Sequence, residues 1–209
     1  MQKTISIFGL LLFTLIAQAQ IEFGIKAGLN SIDLVSNAIQ FENGGTNFDL
    51  KFQESKYGHH FGLYTRMKAF NIYVEPAVIF NSNTVTYSLD EYSEQGVINS
   101  LKNETYNAVD IPLLLGIKAG ILRIFGGPVG HLHINSSSDL WDIRGYKQQF
   151  KDATYGYQAG FGLDLWKIRL EVSYEGNFNR FGDHIVINDT PYSFGDSASR
   201  IIGTVGYAF

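Results

Sequence analysis

Ser199-Arg-Ile-Ile-Gly-Thr-Val-Gly-Tyr-Ala-Phe209 alternates large and small side chains up to an aromatic last residue. Chain ends are usually frayed and polar, so an apolar strand running to the last residue implies that something covers it. The stretch reads as the closing strand of a membrane barrel. Working back along the chain, Lys167-Ile-Arg-Leu-Glu-Val-Ser-Tyr-Glu175 puts Ile168, Leu170, Val172 and Tyr174 on one face and Arg169, Glu171, Ser173 and Glu175 on the other. Helical spacing would mix those two sets, whereas a strand separates them.

The same period recurs three times. In Tyr155 to Leu165 an apolar face opposes Gln158 and Asp164; in Ile21 to Leu29 it opposes Glu22 and Lys26; in Phe70 to Phe80 it opposes Tyr73 and Glu75. Weaker strands fall near 58–67, 105–117, 121–134 and 199–209, which makes eight. Tight connections lie near 68–71, 118–120 and 166–167. The intervening stretches 31–57, 81–104, 135–153 and 176–198 are long and rich in Asn, Ser, Asp and Gly. Strict alternation of short and long connections is the pattern of an up-and-down barrel threaded from one side of a membrane, with short turns in the periplasm and long loops outside. The fold class expected is all-β, an eight-stranded antiparallel up-and-down transmembrane β-barrel.

The amino terminus carries a different signal. Met1-Gln-Lys3, an apolar run from Ile5 to Ala17 and the small residues of Ala17-Gln-Ala19 match a secretory signal peptide. About thirteen apolar residues fall short of the roughly 20 that a spanning helix needs. The expected division is a signal peptide over 1–19 and a barrel domain over 20–209. Cleavage would remove Lys3 and shift the formal net charge from −4 to −5. An acidic surface argues against nucleic acid as a partner. With no cysteine, an exported chain has no disulfide, thiolate metal site, thiol nucleophile or lipid-anchoring cysteine. Mean hydropathy of −0.02 resembles a soluble protein. A small barrel has the same average, because only every second strand residue meets lipid.

Two other architectures compete. Residues 111–130 are apolar enough for a spanning helix, but that helix would bury Lys118 and Arg123 at about 2.5–3.5 kcal/mol each. Two strands with the turn at Lys118-Ala-Gly120 avoid this. A soluble lipocalin-like barrel would place the apolar face inside and the charged face outside. Pro76, Pro112 and Pro128 fall inside expected strands, where each removes a ladder donor; local bulges are expected there.

Asn107-Ala-Val-Asp-Ile-Pro-Leu-Leu-Leu115, Phe125-Gly-Gly-Pro-Val-Gly130, Gly156-Tyr-Gln-Ala-Gly-Phe-Gly-Leu-Asp164 and Leu170-Glu-Val-Ser-Tyr-Glu-Gly-Asn177 together resemble the outer-membrane β-barrel family of Bacteroidetes that includes the PorT-like proteins. The resemblance spans essentially the whole chain after residue 19. It implies export to a Gram-negative outer membrane, contact with outer-membrane lipid and lipopolysaccharide, and insertion by the barrel-assembly machinery, with Phe209 as the assembly signal. One family member is linked to protein secretion, so a surface or secretion partner is implied for this chain as an alternative to a structural role.

If the apolar faces meet lipid, then Glu22, Lys26, Arg66, Glu75, Asp110, Arg123, Asp164, Arg169, Glu171, Glu175 and Arg200 point inward. An eight-stranded barrel is only just wide enough for side chains to fill, so the expectation is a packed polar interior with opposite charges paired. A narrow water or ion path is the alternative. Gly24, Gly28, Gly62, Gly116, Gly156, Gly160, Gly162 and Gly206 would make room for Arg and Tyr from facing strands. His59-His60 and the pair His131 and His133 are expected near the outer rim, as rim or interior imidazoles making ordinary hydrogen bonds; a metal or a rim serine hydrolase or acyltransferase using Ser136-Ser-Ser-Asp139 is the competing reading. Aromatics near strand ends (Tyr57, Phe70, Tyr87, Tyr106, Trp141, Tyr155, Trp166, Tyr174, Phe178, Phe181, Tyr207 and Phe209) are expected to form interface girdles. Trp141, Tyr146 and Phe150 in the third long loop suggest a sugar platform as the sharper alternative to loop packing. No cofactor, metal site or catalytic residue is assigned, and a barrel-rim lipid-modifying enzyme is the remotest reading.

Overall fold

A computed structural model describes residues 20–33, 39–43, 46–93, 96–139, 146–148, 153–180, 185–187, 190–192 and 197–209. The leader, its cleavage site, Trp141, Phe150 and Phe181 lie outside the described residues. The strands are β1 Gln20–Asp33, β2 Ile39–Asn43, β3 Thr46–Ser55, β4 Gly58–Ala69, β5 Ile72–Ser93, β6 Gly96–Ala119, β7 Leu122–Ser138, β8 Tyr146–Gln148, β9 Ala153–Leu165, β10 Ile168–Arg180, β11 Ile185–Ile187, β12 Thr190–Tyr192 and β13 Ser197–Ala208. Eight of them, β1, β4, β5, β6, β7, β9, β10 and β13, each pair antiparallel with the next. Strand β13 returns to β1, from Gly24 opposite Ala208 to Asp33 opposite Ser199. The ring therefore closes as an eight-stranded up-and-down barrel, and the Ser199–Phe209 stretch is the strand that closes it. The amide of Phe209 donates to the carbonyl of Phe23, 2.9 Å away.

Side-chain alternation turns this barrel inside out relative to a soluble one. On β1, Ile21, Phe23, Ile25 and Leu29 are exposed while Lys26 and Asn30 are buried. On β10, Ile168, Leu170, Val172 and Tyr174 face out and Arg169, Glu171, Ser173 and Glu175 face in. Such an apolar exterior around a charged interior suits lipid, and excludes the lipocalin arrangement. On β5 the outward apolar run from Ile72 to Phe80 spans about 26 Å of strand at 3.3 Å per residue. Tilted by about 40°, it covers roughly 20 Å of height, near the ~25 Å belt of membrane barrels.

At one end three two-residue turns join the strands: Phe70-Asn71, Gly120-Ile121 and Trp166-Lys167. The first residue of each has positive φ, at 56°, 62° and 59°, as a type II′ hairpin turn requires. Glycine accepts this freely at position 120. Phe70 and Trp166 do not, and the left-handed conformation costs each roughly 1–2 kcal/mol. Both rings stand almost fully exposed at the rim, where aromatics anchor a barrel in the interface.

The other end departs from the expectation of irregular loops. Residues 81–104 are largely strand: β5 and β6 keep a single register from Ile72 opposite Ile117 to Ser93 opposite Gly96. The upper half of β5 takes β3 as a further neighbour, with Leu50 opposite Leu89, and β2 lies beyond β3. Strand β7 follows β6 up to Ser138 opposite Glu104. Short β8, β11 and β12 form a separate three-stranded sheet from the third and fourth long connections. The barrel thus carries a sheet extension built from its own walls.

The expected proline bulges are absent. Across Pro76, Pro112 and Pro128 the register is continuous: Tyr64 opposite Ala77 and Met67 opposite Val74 belong to one frame, as do Pro76 with Leu113 and Ile79 with Asp110. The Pro112–Val129 and Leu115–Gly126 pairs likewise share a frame. Each ladder drops two pairs without inserting a residue, because long paired segments on both sides pin the register. The register shifts lie elsewhere, at Phe52/Glu54, Asn107/Ala108 and Gly176/Arg180, all above the apolar belt.

Candidate functional site

The distinctive chemistry lies inside the barrel. Alternation carries one inward side chain every second residue from each wall, and these meet in two groups of ion pairs. Toward the short-turn end, Lys26 bonds Glu75 and reaches Glu171 at 2.8 Å. Arg66 reaches Glu75 at 2.5 Å, and Arg123 reaches Asp164 at 2.5 Å and Glu171 at 2.9 Å. Arg169 closes the bottom through Glu22 at 2.7 Å and the Trp166 carbonyl at 2.6 Å. The guanidinium of Arg66 lies 4.8 Å from the Tyr73 ring centre, a cation–π contact. Higher up, Arg200 bonds Asp110 and reaches Glu175 at 2.6 Å, while Asp110 also accepts from Asn81 at 2.7 Å.

Ten of the eleven inward-read charged residues are buried; Glu22 is half-buried at the lower mouth. All eleven fall within these two groups. Further side chains join these groups. Lys118, beside the turn, reaches Asp164 through its ammonium at 2.6 Å. Tyr64 donates to Glu22 at 3.0 Å, His60 Nε2 lies 3.0 Å from the Thr204 hydroxyl, and Asn81 links Asn30 to Asp110. The signal available was parity: Tyr64, like His60, lies an even number of residues from Arg66 on the same strand.

The glycines give these groups room. A methyl at Gly116 would lie 2.3 Å from the Tyr73 ring, and one at Gly162 would lie 2.8 Å from an Arg123 nitrogen. Packing is close, and a void of about 40 Å3 remains between the two groups, bordered by His60, Glu171 and Arg200.

Two of the histidines expected near the rim, His60 and His131, lie inside and make ordinary hydrogen bonds. His59 is exposed and His60 buried, because neighbours on a strand face opposite ways. His131 lies inside, its Nδ1 2.7 Å from Asp110. Strand β7 runs seven residues past His131 to Ser138, so this ring sits below the rim. Among the described residues no group of three or more His, Asp or Glu is placed to hold a metal ion. Each of the six interior carboxylates meets a Lys or Arg, which neutralises it in place.

The aromatic assignment divides likewise. Tyr57, Phe70, Tyr155, Trp166, Tyr174, Phe178, Tyr207 and Phe209 are exposed, as girdle residues must be. Tyr87 is fully buried in the sheet extension, where its hydroxyl meets that of Tyr106 at 2.7 Å, and Tyr106 donates to Glu104 at 2.6 Å. Neither is a girdle residue.

An inside-out closed barrel with a charge-paired lumen defines the class: this is an outer-membrane type of β-barrel. No protein-family model and no curated protein sequence matches the chain. Among solved structures it is similar to the outer membrane protein OprG from Pseudomonas aeruginosa, at 14% identity over 92% of this chain and 97% of that one, with a TM-score of 0.49. It is also similar to the outer membrane protease OmpT from Escherichia coli, at 13% identity over 91% of this chain and 96% of that one, with a TM-score of 0.42.

Proposed function

We propose that this protein is an integral outer-membrane barrel that is exported by a cleaved leader and acts as a structural or surface-interaction protein through its sheet extension, not as a channel or an enzyme. The observation that carries this reading is the contrast between a lumen filled by paired charges and an ordered sheet continuing well past the apolar belt. In the outer membrane the three short turns face the periplasm and the extension faces the cell exterior. Lipid and lipopolysaccharide surround the belt, and the barrel-assembly machinery inserts it, with Phe209 as the recognised end. Planar-bilayer recording of the purified barrel tests the filled lumen: no channel-sized steps are expected, and regular steps would overturn it. Deleting Phe209 is expected to lower the inserted fraction several-fold while leaving whatever barrel does insert heat-modifiable on gels; normal insertion would remove its role as a signal.

The PorT-like resemblance of the Asp110-Ile-Pro112 and Gly126-Gly-Pro128 segments supports a second reading, an accessory role in outer-membrane transport or secretion. Loss of secreted cargo in a deletion strain, with the envelope otherwise intact, would favour it over the surface-interaction role.

A further inference from the structure

The outward face of the sheet extension carries a polar row whose members are far apart in sequence. Gln40 on β2 stands opposite Asp49 on β3, Asp49 opposite Asp90 on β5, and Asp90 opposite Asn99 on β6. Directly paired residues share a face, so four hydrogen-bonding side chains cross four strands in a line. A second line beside it runs through Glu42, Asn47 and Tyr92. Gln40, Glu42, Asn47, Asp49 and Tyr92 border an open concavity of about 610 Å3, with the stacked rings of Phe41 and Phe48, 5.2 Å apart, packed behind it.

The row is held in place. Lys51 reaches Asp90 at 2.9 Å and Asp49 at 3.8 Å, the Tyr92 hydroxyl donates to Asp49 at 3.1 Å, and Asn99 donates to Asp90 at 2.5 Å and to Ser88 at 2.7 Å. The Lys51 and Asn99 hydrogen bonds hold the Asp90 carboxyl below its usual range, so it is an acceptor at neutral pH. The Tyr92 ring remains 42% exposed at the edge of the concavity.

We propose that this face binds a linear, uncharged oligosaccharide. The inference rests on the surface-interaction reading and names its ligand class. Planar amides and carboxylates beside an exposed aromatic ring match the vicinal hydroxyls and the C–H face of a sugar. Neighbouring strands are about 4.8 Å apart, close to the repeat of pyranose rings along a linear glycan, so each strand offers one polar group to one ring. Three carboxylates, Glu42, Asp49 and Asp90, against the single ammonium of Lys51 repel phosphorylated, sulfated or uronic glycans. Two of those carboxylates are already satisfied by Lys51, Tyr92 and Asn99, which weakens their pull on a basic peptide and leaves directional acceptors. The concavity is too polar for an acyl chain.

The test is titration calorimetry of the full barrel in detergent micelles against cello-, manno-, malto- and chito-oligosaccharides of one to six rings, with heparin hexasaccharide and hexalysine as charged probes. At least one neutral series should bind more tightly with each ring up to about four and then level off. Tyr92→Ala and Asn99→Ala should each weaken the longest ligand by about three- to tenfold, the size of one lost neutral contact, with heat-modifiable gel migration unchanged. Absence of binding by every neutral series, binding by hexalysine or heparin alone, or affinity that ignores both substitutions would overturn the assignment. Cell adhesion that is lost on deleting the gene, beside a blank glycan titration, would sink the saccharide and keep the surface-interaction reading.

Discussion

The β5–β6 hairpin is one continuous ladder with two opposite halves. In the lower half Ile72, Val78 and Phe80 on β5 face out while Tyr73, Glu75 and Asn81 face in. In the upper half the same alternation continues without a register shift, yet the polarity is exchanged. Val85, Tyr87 and Leu89 face in and are buried, while Thr84, Thr86, Ser88 and Asp90 lie on the outward face, where Thr86 and Ser88 are themselves covered and bond Asn103 at 2.8 Å and Asn99 at 2.7 Å. Strand β6 changes over at the same height, from Leu113, Ile111 and Val109 to Asn107, Thr105 and Asn103. Backbone geometry is constant through the transition, so the solvent must be what differs. Inward, paired charges fill the lumen below and Val85, Tyr87 and Leu89 fill a sheet core above; outward, apolar groups meet lipid below and a mainly polar layer lies above, with Thr84 and Asp90 half-buried in it.

Substitutions can break this comparison, and the largest effect is expected in the lumen. Glu171 holds both Lys26 and Arg123, so Glu171→Ala leaves two buried cations short of a partner. Stability should fall by about 3–5 kcal/mol, read as a lower urea midpoint of the barrel refolded in vesicles. Next comes a matched pair on the hairpin exterior. Val78 and Leu101 are both exposed, at 55% and 58%, one in each half. Val78→Arg puts a charge in mid-belt and should cost about 2–4 kcal/mol. Leu101→Arg meets water and should change stability by less than about 0.5 kcal/mol. Equal costs at the two positions would remove the boundary between the halves.

The lower half was legible in the sequence because lipid enforces a one-sided apolar pattern: Lys167 to Glu175 and Ile21 to Leu29 revealed strand, face and charge together. Parity then placed the eleven inward charges without any knowledge of partners. What could not be read was which charges meet, since Lys26 and Glu171 are brought together only when β13 closes the ring between β1 and β10. The upper half reads as loop because Asn81-Ser-Asn-Thr84 has no apolar face for lipid. Its signal was present in a different phase: Val85-Thr-Tyr-Ser-Leu-Asp90 alternates as regularly as β10, with the apolar residues turned inward. The prolines misled for another reason. A lost donor was expected to force an extra residue, but a ladder pinned on both sides tolerates two missing pairs instead.

The central claim is that the outward face of β5 passes from the lipid belt to a polar layer outside it between Phe80 and Thr84. The chain has no cysteine, so single cysteines at 72, 74, 78, 80, 84 and 90 can each carry a nitroxide label in the barrel reconstituted into vesicles. Collision with oxygen, which concentrates in lipid, should dominate from 72 to 80, and collision with a water-soluble nickel chelate should dominate at 84 and 90. A chelate-accessible profile along the whole series, or a lipid-like one continuing through 90, would contradict the account.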